Sequence, residues 1–207
     1  MINILIRTHD RFHLLQECIK SIEKQTYKDW NIIISVDNKH TAKKVEKLSY
    51  EFVRTDQIKY KGLKKGWILE AENIKRKRRR RVYWNLYFNT LQKMAKPGYI
   101  LYLDEDMILK SPESLQLIVD NSEEDKLLIF RYQATPDDEN GSRPILKNWN
   151  KTPKRGTIST GCFSHHSKHK GRWIPQKAGD YYAVVNLYGR LKTKWLYKII
   201  VKAQTLE

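Results

Sequence analysis

Three apolar runs, at residues 2–7, 30–36 and 99–103, constrain the fold most, because each one stops abruptly at polar or acidic residues. Between the first two runs, apolar residues recur at helical spacing over residues 12–22. A strand, a helix and a second strand in this order are typical of a parallel sheet covered by helices. We therefore predict an α/β fold with a mostly parallel, twisted sheet flanked by helices.

Polar residues follow each of the three predicted strands. They are Arg7, Thr8, His9 and Asp10 after the first, Asp37 and Asn38 after the second, and Asp104, Glu105 and Asp106 after the third. In open α/β sheets, ligands bind beyond the carboxyl ends of the strands. A D-x-D motif alone is weak evidence, and its carboxylates are also suited to cap a turn. Placed directly after a buried strand, however, two such carboxylates can share a Mg²⁺ ion with phosphate oxygens.

Composition narrows the class of protein. The chain has 207 residues, with 40 Lys and Arg against 23 Asp and Glu, a formal charge of +17. This length predicts a single domain over residues 1–207, and the charge predicts a polyanionic partner. Cys18 and Cys162 are too few for a disulfide framework or a cysteine zinc site. With no transmembrane segment and no signal peptide in the sequence, we expect a cytoplasmic protein, in the host cytoplasm if it is viral.

The opening segment NILIRTHDRFHLLQECIKSIEKQTYKDWNIIISVDN resembles the donor-binding start of family-2-type glycosyltransferases with the GT-A fold. Ser21, Gln25, Thr26, Tyr27 and Asp37 fall in register with that pattern. The segment NLYFNTLQKMAKPGYILYLDED is similar to the family's block of Asn, helix, strand and D-x-D. The resemblance implies a donor-binding half over residues 1–110 and an acceptor-binding half over residues 111–207.

By this resemblance, the chain transfers a sugar from a nucleotide-sugar, most simply a UDP-sugar, to an acceptor hydroxyl with the help of Mn²⁺ or Mg²⁺. The implied donor-binding residues are Arg7, Thr8, Asp37, Asn89 and Asp104. Asp104 and Asp106 would hold the metal, with His165 or His166 as a further candidate ligand, although these histidines also suit a polar, basic loop. Asp180 matches the general base of an inverting reaction, and as an alternative it caps a helix.

The sequence departs from the family pattern at three places. His9 and Asp10 replace the more usual Tyr-Asn pair, and Asn38 stands where the family has a second Asp. The third departure is a run of seven cations without a family counterpart: Lys75, Arg76, Lys77, Arg78, Arg79, Arg80 and Arg81.

Further basic clusters lie at residues 147–155, 168–172 and 190–202, with Trp149, Trp173 and Trp195 among them. Cations interleaved with aromatic rings are typical of nucleic-acid surfaces and of proteins that bind anionic membranes. We favour a DNA acceptor, namely a hydroxymethylated pyrimidine of the kind found in bacteriophage DNA, reached through the cation run and Trp173. The alternatives are a glycan or lipid-linked acceptor at a membrane, with the basic C-terminal helices predicted at 179–191 and 194–202 as an anchor, and a non-catalytic nucleic-acid-binding module.

Overall fold

A computed structural model describes residues 1–55, 83–135, 138, 141, 143–145, 148–175 and 178–204. The strands are β1 (Ile2–Thr8), β2 (Trp30–Val36), β3 (Glu51–Arg54), β4 (Tyr99–Asp104), β5 (Met107–Leu109), β6 (Lys126–Gln133), β7 (Phe163–His166) and β8 (Lys192–Ala203). The α-helices are α1 (Phe12–Glu23), α2 (Lys39–Val45), α3 (Tyr87–Met94), α4 (Ser114–Asn121) and α5 (Gly179–Tyr188). Short 3₁₀ turns precede α3 at Tyr83–Leu86 and β7 at Thr160–Cys162.

The strands form one sheet in the order β3-β2-β1-β4-β7-β6-β8-β5. Strand β1 runs parallel to both of its neighbours, and Arg7 pairs in register with Ser35 of β2 and Asp104 of β4. Strand β7 is antiparallel to β4 and β6, while β6 and β8 are parallel. The α/β prediction is therefore confirmed, and the sheet is mixed because β5 and β7 run against their neighbours.

The central strand β1 is apolar throughout because both faces of the sheet are covered there. Ile2, Ile4, Leu5 and Ile6 are all fully buried, as expected for a parallel strand between two layers of helices. Strands β2 and β4 lie on opposite sides of β1, so right-handed crossovers place α1 and α3 on opposite faces. Both cysteines are buried and free.

Residues 194–202, predicted to form a basic amphipathic helix, are instead part of strand β8. The prediction was wrong because the spacing of apolar and basic residues in this segment fits a strand as well as a helix. Pairing with β6 and β5 selects the strand. After the strand, the backbone N–H of Gln204 donates to the Asp106 carbonyl at 2.8 Å. The end of β8 is thereby joined to the D-x-D segment.

The helix predicted at residues 179–191 is present as α5. The segment at residues 164–170 also suited a polar, basic loop, but its first three residues belong to strand β7. The described part of the chain contains no helix whose length and apolar character suffice to cross a membrane.

Candidate active site

A cavity of about 380 Å³ opens at the carboxyl ends of β1, β2 and β4. Its walls bring together the predicted site residues Arg7, Thr8, Asp37, Asp104 and Asp106. These residues are distant in sequence, and they meet because β1 lies between the two other strands and all three run in the same direction. The cavity therefore lies where ligands bind in open α/β sheets.

Arg7 holds the first carboxylate of the D-x-D motif. Its Nη2 lies 3.0 Å from Oδ2 of Asp104, and its Nε donates to Oδ1 of the same carboxylate. Nη1 donates to Oδ1 of the buried Asn85 at 2.8 Å, and the guanidinium carbon lies 5.0 Å from the centroid of the Phe88 ring. The strand register places Arg7 and Asp104 side by side, so the pair is set by the sheet.

Glu105, the middle residue of the motif, has a role that the sequence pattern did not indicate. Its buried carboxylate accepts hydrogen bonds from Thr8 Oγ1 and from the backbone N–H of His9, the latter at 2.9 Å. Nε of Arg11 lies 2.6 Å from the other oxygen of Glu105, and Nη1 of Arg11 lies 3.1 Å from Oδ2 of Asp106. These bonds fasten the β1–α1 loop to the motif, and they engage the Thr8 hydroxyl that was predicted to contact a nucleoside.

Asp37 uses both of its carboxylate oxygens within the protein. Oδ1 is hydrogen-bonded to Nδ1 of His9, and Oδ2 accepts a hydrogen bond from the Tyr87 hydroxyl at 3.1 Å. The side chain of Asp37 is only 8% exposed, whereas that of His9 is 52% exposed. Burial lowers the pKa of His9, but the hydrogen bond to Asp37 and the charges of nearby carboxylates outweigh it and raise the pKa above its ordinary value.

Two aromatic residues of this cavity, Trp84 and Tyr87, were not singled out from the sequence. Trp84 lies in the 3₁₀ turn before α3, and its side chain is 44% exposed. In the sequence, both residues look like ordinary apolar positions of a helix. Together with His9 they give the cavity an aromatic end near β2 and an acidic end near β4.

The cavity carries more negative than positive charge. Its ionisable residues are the carboxylates Asp10, Asp37, Asp104, Glu105 and Asp106 and the basic groups Arg7, His9 and Arg11. An anionic diphosphate entering such a site is repelled unless a cation accompanies it.

The donor chemistry of the D-x-D residues fits such a cation. In the described part of the chain, no group of three or more His, Cys, Asp or Glu residues is arranged to hold a metal ion. Mg²⁺, however, is commonly bound by one or two carboxylates together with phosphate oxygens. Asp104 and Asp106 supply that pair, although each also contacts an arginine.

Asp180 lies in the first turn of α5. The N-cap position belongs to Ala178, so the alternative that Asp180 is the helix cap is wrong. The pKa of Asp180 is raised from 3.8 to about 6, mainly by burial. The charge of Asp104 contributes to this rise, while a hydrogen bond from the Tyr181 N–H, 2.8 Å long, and the charge of Arg7 oppose it. A carboxylate with a pKa near neutrality, within electrostatic reach of the Arg7–Asp104 pair, suits a general base.

The helix that carries Asp180 is packed directly against the residue that orients Arg7. A Cβ atom on Gly179 would lie 2.3 Å from the Asn85 amide nitrogen, which is closer than real atoms approach. Glycine therefore lets the start of α5 touch Asn85, and Asn85 in turn bonds to Arg7. The donor end of the site and the candidate base are connected through this one asparagine.

His165 and His166 lie on β7, toward the opposite end of β4 from the motif. His165 pairs with Ile100, four residues before Asp104, which is roughly 13 Å along the strand. The ring nitrogens of the buried His165 lie 2.8 Å from the Tyr102 hydroxyl and 3.0 Å from the His166 carbonyl, and burial lowers its pKa to about 4. The prediction that one of these histidines completes a metal site is therefore wrong.

Trp173, predicted to face nucleic acid, is buried among aromatic rings. Its ring centroid lies 4.5 Å from that of Phe88, 5.1 Å from that of Tyr102 and 6.2 Å from that of Phe163. Because only 1% of the residue is exposed, Trp173 cannot stack on bases, and that prediction is wrong.

Asn89 supports this buried segment instead of lining the cavity. Its amide donates to the Trp173 carbonyl at 2.8 Å and accepts from the Trp173 N–H at 3.1 Å. Asn85, one helical turn earlier, is the asparagine that reaches Arg7. The predicted donor contact of Asn89 is thus replaced by a structural role. The seven cations at residues 75–81 lie outside the described residues.

Comparison with solved structures identifies the fold. S. aureus TarS residues 1–349 in complex with UDP-GlcNAc superposes with a TM-score of 0.64 and 12% identity, covering 100% of this chain and 59% of that one. The mannosyltransferase PcManGT from Pyrobaculum calidifontis, in complex with GDP-Man and Mn²⁺, gives a TM-score of 0.61 and 11% identity, covering 100% and 57%. The chain thus spans less than two thirds of the length of both structures. At these identities the likeness establishes the fold alone.

Sequence comparison establishes the family. Curated protein sequences give no match to the chain. The family model described as "Glycosyl transferase family 2", in contrast, matches residues 3–178. This range begins in β1 and contains every residue that lines the cavity. The chain belongs to glycosyl transferase family 2.

Proposed function

We propose that this chain is a glycosyltransferase that moves a sugar from a UDP-sugar to an acceptor hydroxyl. The observation that carries the proposal is the arrangement at the strand ends. A cavity with an aromatic end and a D-x-D end lies near the half-buried carboxylate of Asp180, whose pKa is raised to about 6. Similar folds bound to UDP-GlcNAc and to GDP-Man support a nucleotide-sugar donor.

The two ends of the cavity suggest how the donor lies. The nucleoside belongs at the aromatic end, where His9 and Trp84 present exposed rings next to Asp37. The diphosphate belongs at the acidic end, near Asp104, Asp106 and the arginines that contact them. A cavity of about 380 Å³ is within the usual size range of small-molecule sites.

The excess of carboxylates is the reason to propose a divalent cation, Mn²⁺ or Mg²⁺, held by Asp104 and Asp106. When bound, such an ion neutralises the charge that develops on the departing diphosphate. Arg7 keeps the Asp104 carboxylate in a fixed orientation through its two-point contact. Arg11, which lies against Asp106, is placed to share that carboxylate with an incoming cation or to turn toward phosphate oxygens.

Asp180 is proposed to take the proton from the acceptor hydroxyl as its oxygen attacks the anomeric carbon. The bond from that carbon to the diphosphate oxygen breaks, and its electron pair leaves with UDP. Because one displacement occurs on the face opposite the leaving group, the anomeric configuration inverts. A base with a pKa near the working pH is suited to this transfer, and burial brings Asp180 close to that value.

For the acceptor, we propose a hydroxymethylated pyrimidine in DNA, supported by the formal charge of +17. A glycan or lipid-linked acceptor at an anionic membrane remains the second candidate, but the basic helix proposed to anchor it is strand β8. A non-catalytic nucleic-acid-binding module is disfavoured, because a half-buried carboxylate with a raised pKa, close enough to Asp104 to feel its charge, costs stability without serving DNA binding.

The donor and cation proposals are tested together by calorimetric titration of UDP with and without Mn²⁺. Wild type is expected to bind UDP at least about tenfold more tightly with Mn²⁺, and Asp106→Asn is expected to lose that difference. Asp120→Asn, an exposed carboxylate on α4, is the matched control and retains it. UDP affinity that is indifferent to Mn²⁺ in every variant would remove the cation from the proposal.

The acceptor is tested by incubating nucleotide-sugars with hydroxymethylated DNA, unmodified DNA and simple glycans, followed by mass spectrometry of each acceptor. We expect one added hexose or pentose on hydroxymethylated DNA with wild type and none with Asp180→Asn. If the glycans gain mass and the DNA does not, the second candidate replaces the DNA acceptor. No donor hydrolysis or transfer, combined with strongly salt-dependent DNA binding, would favour the non-catalytic module.

A further inference from the structure

Three aromatic residues form an exposed cluster outside the donor cavity, here called the aromatic platform: Trp149, Trp195 and Tyr197. The Trp149 ring centroid lies 5.0 Å from that of Trp195 and 5.2 Å from that of Tyr197, both in edge-to-face contact. Tyr197 is 52% exposed, and the two tryptophans are half-buried. In the described part of the chain, only Tyr197 and Trp84 are large apolar side chains with this degree of exposure, and Trp84 belongs to the donor cavity.

The platform is held in place from beneath by a buried arginine. The guanidinium carbon of Arg131 lies 5.6 Å from the Trp149 centroid and 5.5 Å from the Tyr197 centroid. The same guanidinium donates to the backbone carbonyls of Gly141 and Pro144, so it also fixes the segment that leads to Trp149. Since rings held by a buried cation keep their orientation, the platform is preformed for a ligand.

An irregularity in strand β8 exposes Tyr197. In the pairing with β6, Phe130 is opposite Leu196 and Arg131 is opposite Ile199, so Tyr197 and Lys198 are two extra residues on β8. Bulges of this kind redirect side chains and are frequent near active sites.

The platform lies on the same face of the sheet as the D-x-D motif. Trp195 pairs with Ile129, and Ile129 pairs with Phe163 on β7. The Phe163 ring lies 5.2 Å from that of Tyr102 on β4, and Tyr102 shares its face with Asp104 two residues later. Three strand spacings separate β4 from β8, about 14 Å in all. The donor base, at β2, lies on the other side of β4, so the platform is on the acceptor side.

Both segments that build the platform also carry exposed cations. Lys198 follows Tyr197 directly, and Lys151, Lys154 and Arg155 lie in the segment after Trp149. Two basic and aromatic clusters that are separate in the sequence are therefore joined into one surface. A neutral sugar would gain from the rings but not from these charges, whereas a nucleic acid strand gains from both.

We propose that the aromatic platform binds an unpaired stretch of the DNA acceptor, with bases stacked on the exposed faces of Tyr197 and Trp149 and phosphates near the flanking cations. This inference rests on the DNA acceptor proposed above. Because it lies about 14 Å from the motif's strand, the platform contacts neighbouring nucleotides and not the one that receives the sugar. The bases must be unpaired because the bases of a duplex are already stacked on one another. This requirement agrees with an enzyme that must expose its target base.

The test is the affinity of the full chain for a fluorescein-labelled single strand, measured by anisotropy, with the duplex of the same sequence and a neutral oligosaccharide as further probes. Tyr197→Ala is expected to weaken single-strand binding about tenfold, and Tyr197→Phe to retain it, because stacking needs only the ring. Tyr27→Ala, in the segment before β2 and therefore far across the sheet from β8, is the matched control and retains wild-type affinity. Lys198→Ala is expected to lower the dependence of log affinity on log salt by about one unit.

Equal affinity of wild type and Tyr197→Ala for the single strand would overturn the inference, as would binding of the neutral oligosaccharide that depends on Tyr197. Should Tyr197→Ala fail to fold, Tyr197→Leu keeps apolar bulk without the ring and carries the same expectation. Sugar transfer to DNA separates the two proposals. Transfer that is unaffected by Tyr197→Ala refutes the platform and keeps the acceptor. Ring-dependent strand binding without any transfer keeps the platform and refutes the acceptor.

Discussion

Replacing Asp180 by Asn is expected to stabilise the folded protein while it abolishes sugar transfer. The pKa of Asp180 is raised from 3.8 to about 6, mainly by burial. A difference of about two pKa units corresponds to about 3 kcal/mol between the charged and neutral forms. Because the residue is partly exposed, solvent screening reduces the expected gain to about 1–2 kcal/mol. The stabilisation arises because the neutral amide removes a partly buried charge.

The sign and the pH window of this effect follow from proton linkage. The folded protein binds the Asp180 proton more tightly than the unfolded chain, so the stability of wild type falls as pH rises from about 4 to about 6 and then stays level. The Asp180→Asn variant should not lose stability over this pH range. Urea unfolding at about pH 7.5 should therefore show the full gain for the variant, and unfolding at about pH 5 should show about half of it.

Transfer by the same variant should fall at least about 100-fold if Asp180 is the base. Asp125→Asn, an exposed carboxylate just before β6, should leave stability within about 0.5 kcal/mol at both pH values. If Asp180→Asn destabilises the protein, or changes its stability equally at both pH values, then burial does not raise the pKa of Asp180. Wild-type transfer rates in the variant would refute its role as base.

Three further predictions test other parts of the site. Gly179→Ala should cost about 1–3 kcal/mol and weaken transfer, because its Cβ would displace Asn85. Gly189→Ala, at the other end of the same helix, is expected to leave stability and transfer unchanged, because the atom nearest to the added Cβ is 3.5 Å away. Affinity for a UDP-sugar, measured by calorimetry, should fall as pH rises through the raised pKa of His9, because the imidazole then loses its charge, and His9→Gln should flatten this dependence. Asn89→Ala should lower the melting temperature without changing UDP affinity, since its two hydrogen bonds hold a backbone segment.

The part of the molecule before residue 110 was largely predictable because its signals are local. Strand β1 is apolar at consecutive positions, which marks burial on both faces, and α1 follows with buried Leu15, Ile19 and Ile22 at helical spacing. The acidic ends of β2 and β4 can be read directly from where each apolar run stops. Such features depend on neighbouring residues only, so the sequence carries them without knowledge of the fold.

The part after residue 110 was less predictable because residue type does not reveal burial or pairing. Residues 194–202 fit a basic helix as well as a strand until β6 and β5 are placed beside them. Trp173 and His165 look like surface residues in a basic segment, but both are enclosed by the packing around Tyr102. Long-range packing decided each of these cases.

By itself, the sequence determined the α/β class, the helix α1, the strands β1, β2 and β4, and the acidic residues that follow β2 and β4. Tertiary structure alone decided which of these residues meet. The contacts of Arg7 with Asp104 and Asn85 span 97 and 78 residues, and the aromatic platform joins Trp149 to Tyr197 across a bulge. Helix and strand tendencies act over a few residues, whereas these contacts follow from strand order and crossover direction, which only the folded sheet sets.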